Sequence, residues 1–359
     1  MSSATPPAAS GPPSLPPQLR LSQMICSLWI PQAICAAAEL GIPDALEKGP
    51  LPGAMVAERV GAHADATDRL LRALAFLGLF TQDERGFALT DLGRCLVTQS
   101  PVSRRAWSRV MGGPQVWQAW GRLTDCVRTG KKAYLRDDGG ERDTFESMAA
   151  DPEAAAVFHQ AMAEMTRNVG PGIARALDVT GARTVVDVGG GLGALLCAVL
   201  EAHPALSGAV FDLPHAKEGA LTLFAERGLS ARARYVEGSF FETAPPPADL
   251  YLLKSVIHDW DDTKSRVILG RCREALRGEA RLLLVEAPAG LPSGNPVGDW
   301  FLAFSDLNML VNTGGRERTL EEYVALLESS GLRVEAVLET GTFFRLFQAV
   351  RDTSPDSRR

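Results

Sequence analysis

His258, followed by Asp259 and Trp260, closes the run Leu253-Lys254-Ser255-Val256-Ile257, which reads as the end of a strand and the loop after it. A histidine with a reference pKa of about 6.5 is neutral often enough near pH 7 to take a proton from a hydroxyl. A second group lies upstream. Val185-Val186-Asp187-Val188-Gly189-Gly190-Gly191-Leu192-Gly193 is a strand running into a glycine turn, with a helix after it. Glycines admit positive φ and let a ligand approach the backbone closely. Asp212 ends the next apolar run, where a carboxylate can accept hydrogen bonds from both hydroxyls of a ribose. Gly189-x-Gly191-x-x-Ala194 also satisfies the relaxed dinucleotide fingerprint, so a nicotinamide enzyme is an open alternative. Asp259, Asp261 and Asp262 form the one carboxylate cluster of note. Oxygen-ligand metals need several convergent carboxylates, so no metal is expected. Asp261 or Asp262 is instead expected to cap the helix that follows.

These groups need a scaffold. From Thr184 onward apolar strands at 184–188, 208–212, 233–236, 249–254, 280–286, 333–339 and 343–350 are predicted, with helical segments separating the first six. About three residues around Gly341 separate the last two strands, whereas parallel pairing needs a crossover of a dozen or more. The last strand must therefore be antiparallel to its neighbour. An α/β fold is expected, a seven-stranded doubly wound Rossmann-like sheet with a C-terminal antiparallel hairpin. That is the methyltransferase variant of this architecture. In such sheets ligands sit at the carboxyl ends of the strands, which puts His258 within reach of whatever the glycine turn holds.

The N-terminal part has another pattern. Residues 19–41 read as an apolar helix kinked or split by Pro31, followed by helices near 54–61 and 66–78 and a hairpin from Leu79 to Leu89. Three helices and a hairpin outline a winged helix. The helix that would enter a DNA groove carries Arg69 and Arg72 against Asp65 and Asp68, a local charge of zero, so packing or dimerisation is expected rather than nucleic-acid binding. A metabolite-sensing regulator built on it is the rival of a different class. Residues 106–175 read as helices carrying Trp107, Trp117, Trp120, Phe158, Met162 and Met165, which suit a core or the wall of a pocket for a flat ligand. The division expected is a disordered leader at 1–18, a winged-helix dimerisation domain at 19–105, a helical connector lining the acceptor pocket at 106–175, a cofactor-binding catalytic domain at 176–351 and a tail at 352–359.

Net charge of -6 over 359 residues disfavours nucleic acid and anionic membranes as partners. Six scattered cysteines without a C-x-x-C pair suit reduced thiols and a cytoplasmic location. No signal-peptide pattern is expected at the start. No uninterrupted apolar run approaches 18 residues, so no membrane-spanning helix is expected.

Asp187-Val188-Gly189-Gly190-Gly191-Leu192-Gly193, Phe211-Asp212-Leu213-Pro214, His258-Asp259-Trp260 and Gly314-Gly315-Arg316-Glu317-Arg318 together resemble the caffeic-acid, hydroxyindole and bacterial polyketide O-methyltransferases over about residues 20–350. The resemblance implies S-adenosylmethionine as cofactor, a small aromatic or polyketide-like acceptor and a homodimer formed through the N-terminal domain. It implies further that Asp187, Gly189, Gly191, Asp212, Leu213, Gly238, Ser239, Phe240, Lys254 and Thr166 hold the cofactor: Gly189 beside its methionine part, Asp212 at the ribose, Ser239 and Phe240 flanking the adenine, Thr166 near the carboxylate. Plant members often carry Gly-Asp-Met where this chain has Gly238-Ser239-Phe240, so a serine replaces a carboxylate at the adenine. His258 is implied as the general base, with Glu317 orienting it and Glu286 and Asp259 in support. Phe158, Met162, Asn308, Met309, Asn312 and Trp117 are implied or expected at the acceptor pocket. A sulfonium methyl is already activated, so alignment with the attacking oxygen and removal of its proton are what the chain must supply. The same fold could serve a nitrogen or carbon acceptor.

Overall fold

The computed structural model describes residues 15–133, 145, 151–292 and 296–353. Most of the expected leader and tail lies outside them. Contacts divide the chain into two compact units, Met1–Arg94 and Cys95–Arg359.

In the first unit, helices Pro17–Cys26 and Trp29–Glu39 are separated at Ser27 and Leu28. The break is therefore not at Pro31. That proline lies in the first helical turn, where an amide N–H would have no intrahelical partner and its absence does no harm. The first of these helices begins at Pro17, inside the stretch expected to be disordered. Helices Ile42–Ala45, Gly53–Val60 and Ala64–Phe76 follow, then an antiparallel hairpin of β1 (Phe80–Asp83) and β2 (Gly86–Leu89). Leu51 bridges to Phe87 and adds a third partner to the hairpin. Ala37, Ile42, Val56, Leu71, Leu74, Phe80 and Phe87 are buried together in this small core. Helix Pro17–Cys26 buries no residue, and Leu19, Leu21, Met24, Ile25 and Trp29 are exposed. Within Pro17–Glu39, 23 residues, the most apolar window of 18 has a mean hydropathy of 1.3, long and apolar enough to cross a membrane by length and composition. The expectation against such a segment rested on uninterrupted runs, which this stretch lacks.

In the second unit a seven-stranded sheet has the order β5-β4-β3-β6-β7-β9-β8. Its strands are β3 (Thr184–Val188), β4 (Ser207–Asp212), β5 (Ala233–Glu237), β6 (Leu250–Lys254), β7 (Arg281–Glu286), β8 (Leu332–Glu339) and β9 (Arg345–Arg351). The first five are parallel; β9 runs antiparallel to β8, as the short connection around Gly341 requires, and also antiparallel to β7. Alternate residues feed two cores. Val185, Leu250, Leu252, Leu283 and Val285 pack on one face; Val186, Val188, Tyr251, Leu253, Leu282 and Leu284 pack on the other. Burial on both faces explains why these strands read as continuous apolar runs.

Strand order reverses between β3 and β6. From β3 the chain moves outward to β4 and β5, then returns to place β6 on the other side of β3. Helices cannot cover the crevice at such a switch point, and it opens beyond the carboxyl ends of both strands. The glycine turn follows β3 and the His258 loop follows β6. Helix Pro152–Ala176, 25 residues long, supplies a wall; its buried Glu164 accepts from the amides of Ala106 and Trp107 and fixes the start of helix Arg105–Gly112 against it.

Candidate active site

The glycine turn is shaped by missing side chains. Gly189, Gly191 and Gly193 have φ of 70°, 55° and 75°, a region that costs other L-residues about 1–2 kcal/mol. A Cβ on Gly189 would sit 3.0 Å from Val256 Cγ2 and 3.4 Å from Phe240, and one on Gly190 would overlap the Asp187 carboxyl. Asp212 holds the turn: one oxygen accepts the Gly191 amide at 2.7 Å and the other accepts the Leu213 amide at 2.7 Å. Burial raises its pKa against these two donors. Asp187, 2% exposed at the end of β3, has Oδ2 buried with no hydrogen-bond partner among the described residues. Burial and the neighbouring Asp212 push its pKa up to about 7, opposed by Lys254. Burial pulls Lys254 downward, opposed by Glu286, Asp187 and Asp259; its Nζ bonds Ser255 at 3.1 Å and lies 4.9 Å from the Phe344 ring centre.

The His258 loop lies beside that turn, since Val256, the residue Gly189 nearly touches, stands two positions before His258. Imidazole and glycine turn therefore occupy the same end of neighbouring parallel strands. Ser255 enters the loop with φ of 53°, a strained value for a serine, and its N–H bonds the Val285 carbonyl. A short 3₁₀ turn, Ile257–Asp259, then presents His258. Its Nδ1 is 3.0 Å from Glu317 Oε1, and its Nε2 is 3.8 Å from Asp259 Oδ1. Ser305 donates to the same Glu317 oxygen at 2.6 Å, and the Glu317 amide donates to Asp306 at 2.9 Å. Burial alone would lower the His258 pKa, but Glu317, Asp259 and Glu286 together push it up to about 10. The same imidazole, with Ser305, holds Glu317 below the usual carboxylate value although burial works the other way. The carboxylates outweigh burial, so the protonated imidazole is favoured beyond what the reference pKa of histidine suggests.

Glu286 acts on the loop through the backbone. Fully buried, it accepts the Val256 and Ile257 amides on Oε1 at 3.1 and 2.8 Å, while Oε2 has no partner among the described residues. Burial raises its pKa.

Sequence reasoning missed Arg318. Its side chain is completely buried; it donates to the carbonyls of Ile257 at 3.0 Å and Trp260 at 2.8 Å and to Asp262 Oδ1 at 2.8 Å. The two carbonyls bracket His258. Gly315 completes the clasp: a Cβ there would run into the His258 carbonyl, which accepts the Arg316 amide at 2.9 Å. Gly315, Arg316 and Glu317 thus meet His258 or its backbone and Arg318 the carbonyls on either side of it, with Arg316 3.5 Å from Asp262. An arginine inside an otherwise polar loop was the available signal. Asp261 caps the following helix, Asp262–Ala275, by accepting the Lys264 amide.

On the acceptor side, Phe158 packs edge-on against Phe145, which tilts onto Trp260. Met162 is half-buried and Met309 buried. Asn308 and Asn312 bond each other at 2.8 Å, and Asn308 accepts from Trp120 Nε1 at 3.0 Å. Trp117, from the same helix as Trp120, is 38% exposed. Phe240 and Phe241 form an aromatic corner with Trp260, and Ser239 Oγ accepts the Phe241 amide. Gly238 lies against the Phe211 ring, where a Cβ would clash, and Thr166 is buried on helix Pro152–Ala176.

Orphaned carboxylate oxygens, a turn emptied of side chains and more carboxylates than cations suit a cationic ligand that approaches the backbone closely. Among the described residues, no group of three or more His, Cys, Asp or Glu side chains is arranged to hold a metal.

The O-methyltransferase domain profile matches residues 120–333, and the O-methyltransferase dimerisation domain profile matches residues 22–99. The chain is 37% identical to phenazine O-methyltransferase of Lysobacter antibioticus over 92% of this chain and 95% of that one. It is 39% identical to the mitomycin biosynthesis 6-O-methyltransferase of Streptomyces lavendulae over 89% and 90%. A neocarzinostatin-biosynthesis O-methyltransferase, solved with S-adenosylmethionine and 2-hydroxy-5-methyl naphthoic acid, superposes with a TM-score of 0.74 at 36% identity, covering 90% of this chain and 96% of that one.

Proposed function

The chain belongs to the O-methyltransferase family, an S-adenosylmethionine-dependent enzyme by that membership, and from this premise we propose that it methylates a hydroxyl of a small aromatic or polyketide-like compound with His258 as general base. The observation that carries the reading is the His258–Glu317 contact at 3.0 Å, beside the glycine turn. Glu317 accepts the Nδ1 proton and so leaves Nε2 as the atom that faces an acceptor hydroxyl. The carboxylates make Nε2 a strong base and stabilise the imidazolium once it has formed. Bound S-adenosylmethionine supplies the electrophilic methyl and a positive charge. Asp187, Gly189, Gly191, Asp212, Leu213 and Lys254 would hold it at the glycine turn, Gly238, Ser239 and Phe240 would flank its adenine, and Thr166 would meet its carboxylate. Phe158, Met162 and Met309 would flank the acceptor, with sulfur against ring edges. The Asn308–Asn312 pair and Trp117 would serve the pocket's outer part, Trp120 fixing Asn308.

Residues 22–99 carry the dimerisation domain, and the exposed Leu19, Leu21, Met24, Ile25 and Trp29 suit a homodimer interface better than a bilayer, since a surface of this kind needs a partner and the family provides one. The acidic charge and scattered cysteines go with a soluble, cytoplasmic dimer without a nucleic-acid partner. Labelled S-adenosylmethionine and a panel of phenols and aromatic amines test the reaction. Label is expected on phenolic oxygen. Transfer to the amines alone overturns the hydroxyl assignment.

A further inference from the structure

His159 and His215 take no part in the reaction proposed above, yet they are paired beside the glycine turn. His159 is 6% exposed on helix Pro152–Ala176, and His215 follows Asp212 by three residues. His159 Nε2 and His215 Nδ1 are 2.8 Å apart, and the rings stack at 4.8 Å with a 30° tilt. The other ends of the pair are uncommitted. His215 Nε2 is buried with no hydrogen-bond partner among the described residues. His159 Nδ1 lies 3.3 Å from where a Gly191 Cβ would stand. The Gly191 amide is the one that Asp212 Oδ2 accepts, so His159 Nδ1 and the Asp212 carboxylate approach one glycine from two sides. Met162 and Thr166 lie three and seven residues after His159, on the same helical stripe.

We propose that His159, braced by His215, is a second ribose-binding residue, taking one hydroxyl of the cofactor's diol while Asp212 takes the other. This rests on the reading of Asp212 as the ribose ligand. A diol presents two hydroxyls, and each Asp212 oxygen already accepts a backbone amide. The contact between ring nitrogens requires one of them to carry a proton. If His159 Nε2 carries it, Nδ1 is a bare acceptor for the ribose proton. If His215 Nδ1 carries it, His159 Nδ1–H donates to the ribose oxygen. A hydroxyl serves either tautomer, because it both donates and accepts. A cofactor carboxylate fits less well: burial first, then His215, pushes the His159 pKa down to about 4, so the ring is neutral near pH 7 and offers an anion no charge.

The test is calorimetry with S-adenosylhomocysteine and its 2′-deoxy and 3′-deoxy analogues on the full chain, comparing wild type with His159→Phe and His215→Phe, which keep ring volume and remove the nitrogens. Thermal melts check that the variants remain folded. Wild type should lose roughly tenfold in affinity for each deoxy analogue, the effect of one hydrogen bond. His159→Phe should bind S-adenosylhomocysteine roughly tenfold more weakly and become indifferent to one of the two deoxy changes while still penalising the other. His215→Phe should show the same selective indifference, to a smaller degree. Equal weakening of all three ligands by His159→Phe would make the pair structural and overturn the inference, as would a variant with wild-type discrimination. If wild type itself ignores S-adenosylhomocysteine, the cofactor reading falls and this inference with it.

Discussion

Two turns face each other at the switch point of the sheet, and they are built by opposite means. The glycine turn after β3 is made by subtraction: Gly189, Gly190, Gly191 and Gly193 leave room, and one carboxylate, Asp212, keeps the emptied backbone in place. The His258 turn after β6 is made by addition. Glu286 grips its amides, Arg318 grips its carbonyls, Glu317 holds the imidazole, and Gly315 lets the last of these segments come close enough. A turn that receives a ligand must present backbone, so side chains are excluded. A turn that presents one side chain at a fixed angle must have its own backbone satisfied from elsewhere, and here two distant segments, the end of β7 and the run Gly315–Arg318, do so. Damage to the first should therefore appear in cofactor affinity, and damage to the second in turnover.

The sharpest contrast comes from the base itself. His258→Ala is expected to lower kcat by about 10²–10⁴-fold, the usual worth of a general base, with S-adenosylhomocysteine affinity within about twofold of wild type by calorimetry. The mirror experiment is Gly189→Val. A branched side chain at φ of 70°, pressed against Val256 and Phe240, should cut cofactor affinity on the order of 10²-fold. If it lowers kcat at saturating cofactor instead, the division of labour between the turns is wrong. Arg318→Lys is next. Lysine cannot donate in a fork to two carbonyls and Asp262 together, so kcat should fall about tenfold and urea unfolding should show roughly 3 kcal/mol lost, with cofactor affinity retained.

A smaller effect sharpens the electrostatics. With His258 raised to about 10, the imidazole and acceptor hydroxyl together keep their proton at neutral pH. The rate should climb about tenfold per pH unit from pH 6 toward 9 and show no plateau near 6.5. Glu317→Gln removes the largest of the three carboxylate contributions, so the His258 pKa falls and the climb should level off at lower pH, while the maximum rate drops. An unchanged profile in Glu317→Gln would mean that the carboxylate does not set the charge on the base.

Much of the scaffold could be read in advance. Apolar runs placed all seven strands of the large sheet within two residues of their observed ends, and the short connection at Gly341 was enough to make β9 antiparallel. Local chemistry also foretold the Asp261 cap. What stayed hidden depends on partners far apart in the chain. Arg318 meets carbonyls some 60 positions earlier, and a carbonyl has no residue type to recognise. Glu286 was visible as a glutamate near the base, but not as a grip on amides. Asn308 and Asn312 read as pocket residues, but their hydrogen bond to each other, one helical turn apart, was not legible from residue type. Pro31 looked like the break in the N-terminal helix because its position within the first turn depends on where that helix starts. The pKa of His258 was out of reach for the same reason: Glu317 and Glu286, from separate segments, join the neighbouring Asp259 beside it only once the chain has folded.

The most direct measurement is a crystal structure with S-adenosylhomocysteine and a phenol that the enzyme methylates. An acceptor oxygen within about 2.6–3.2 Å of His258 Nε2, on the side facing the cofactor sulfur, is the expected result. An acceptor oxygen that faces the sulfur with His258 Nε2 turned away from it, and another group in hydrogen-bond contact, would contradict the assignment of the base.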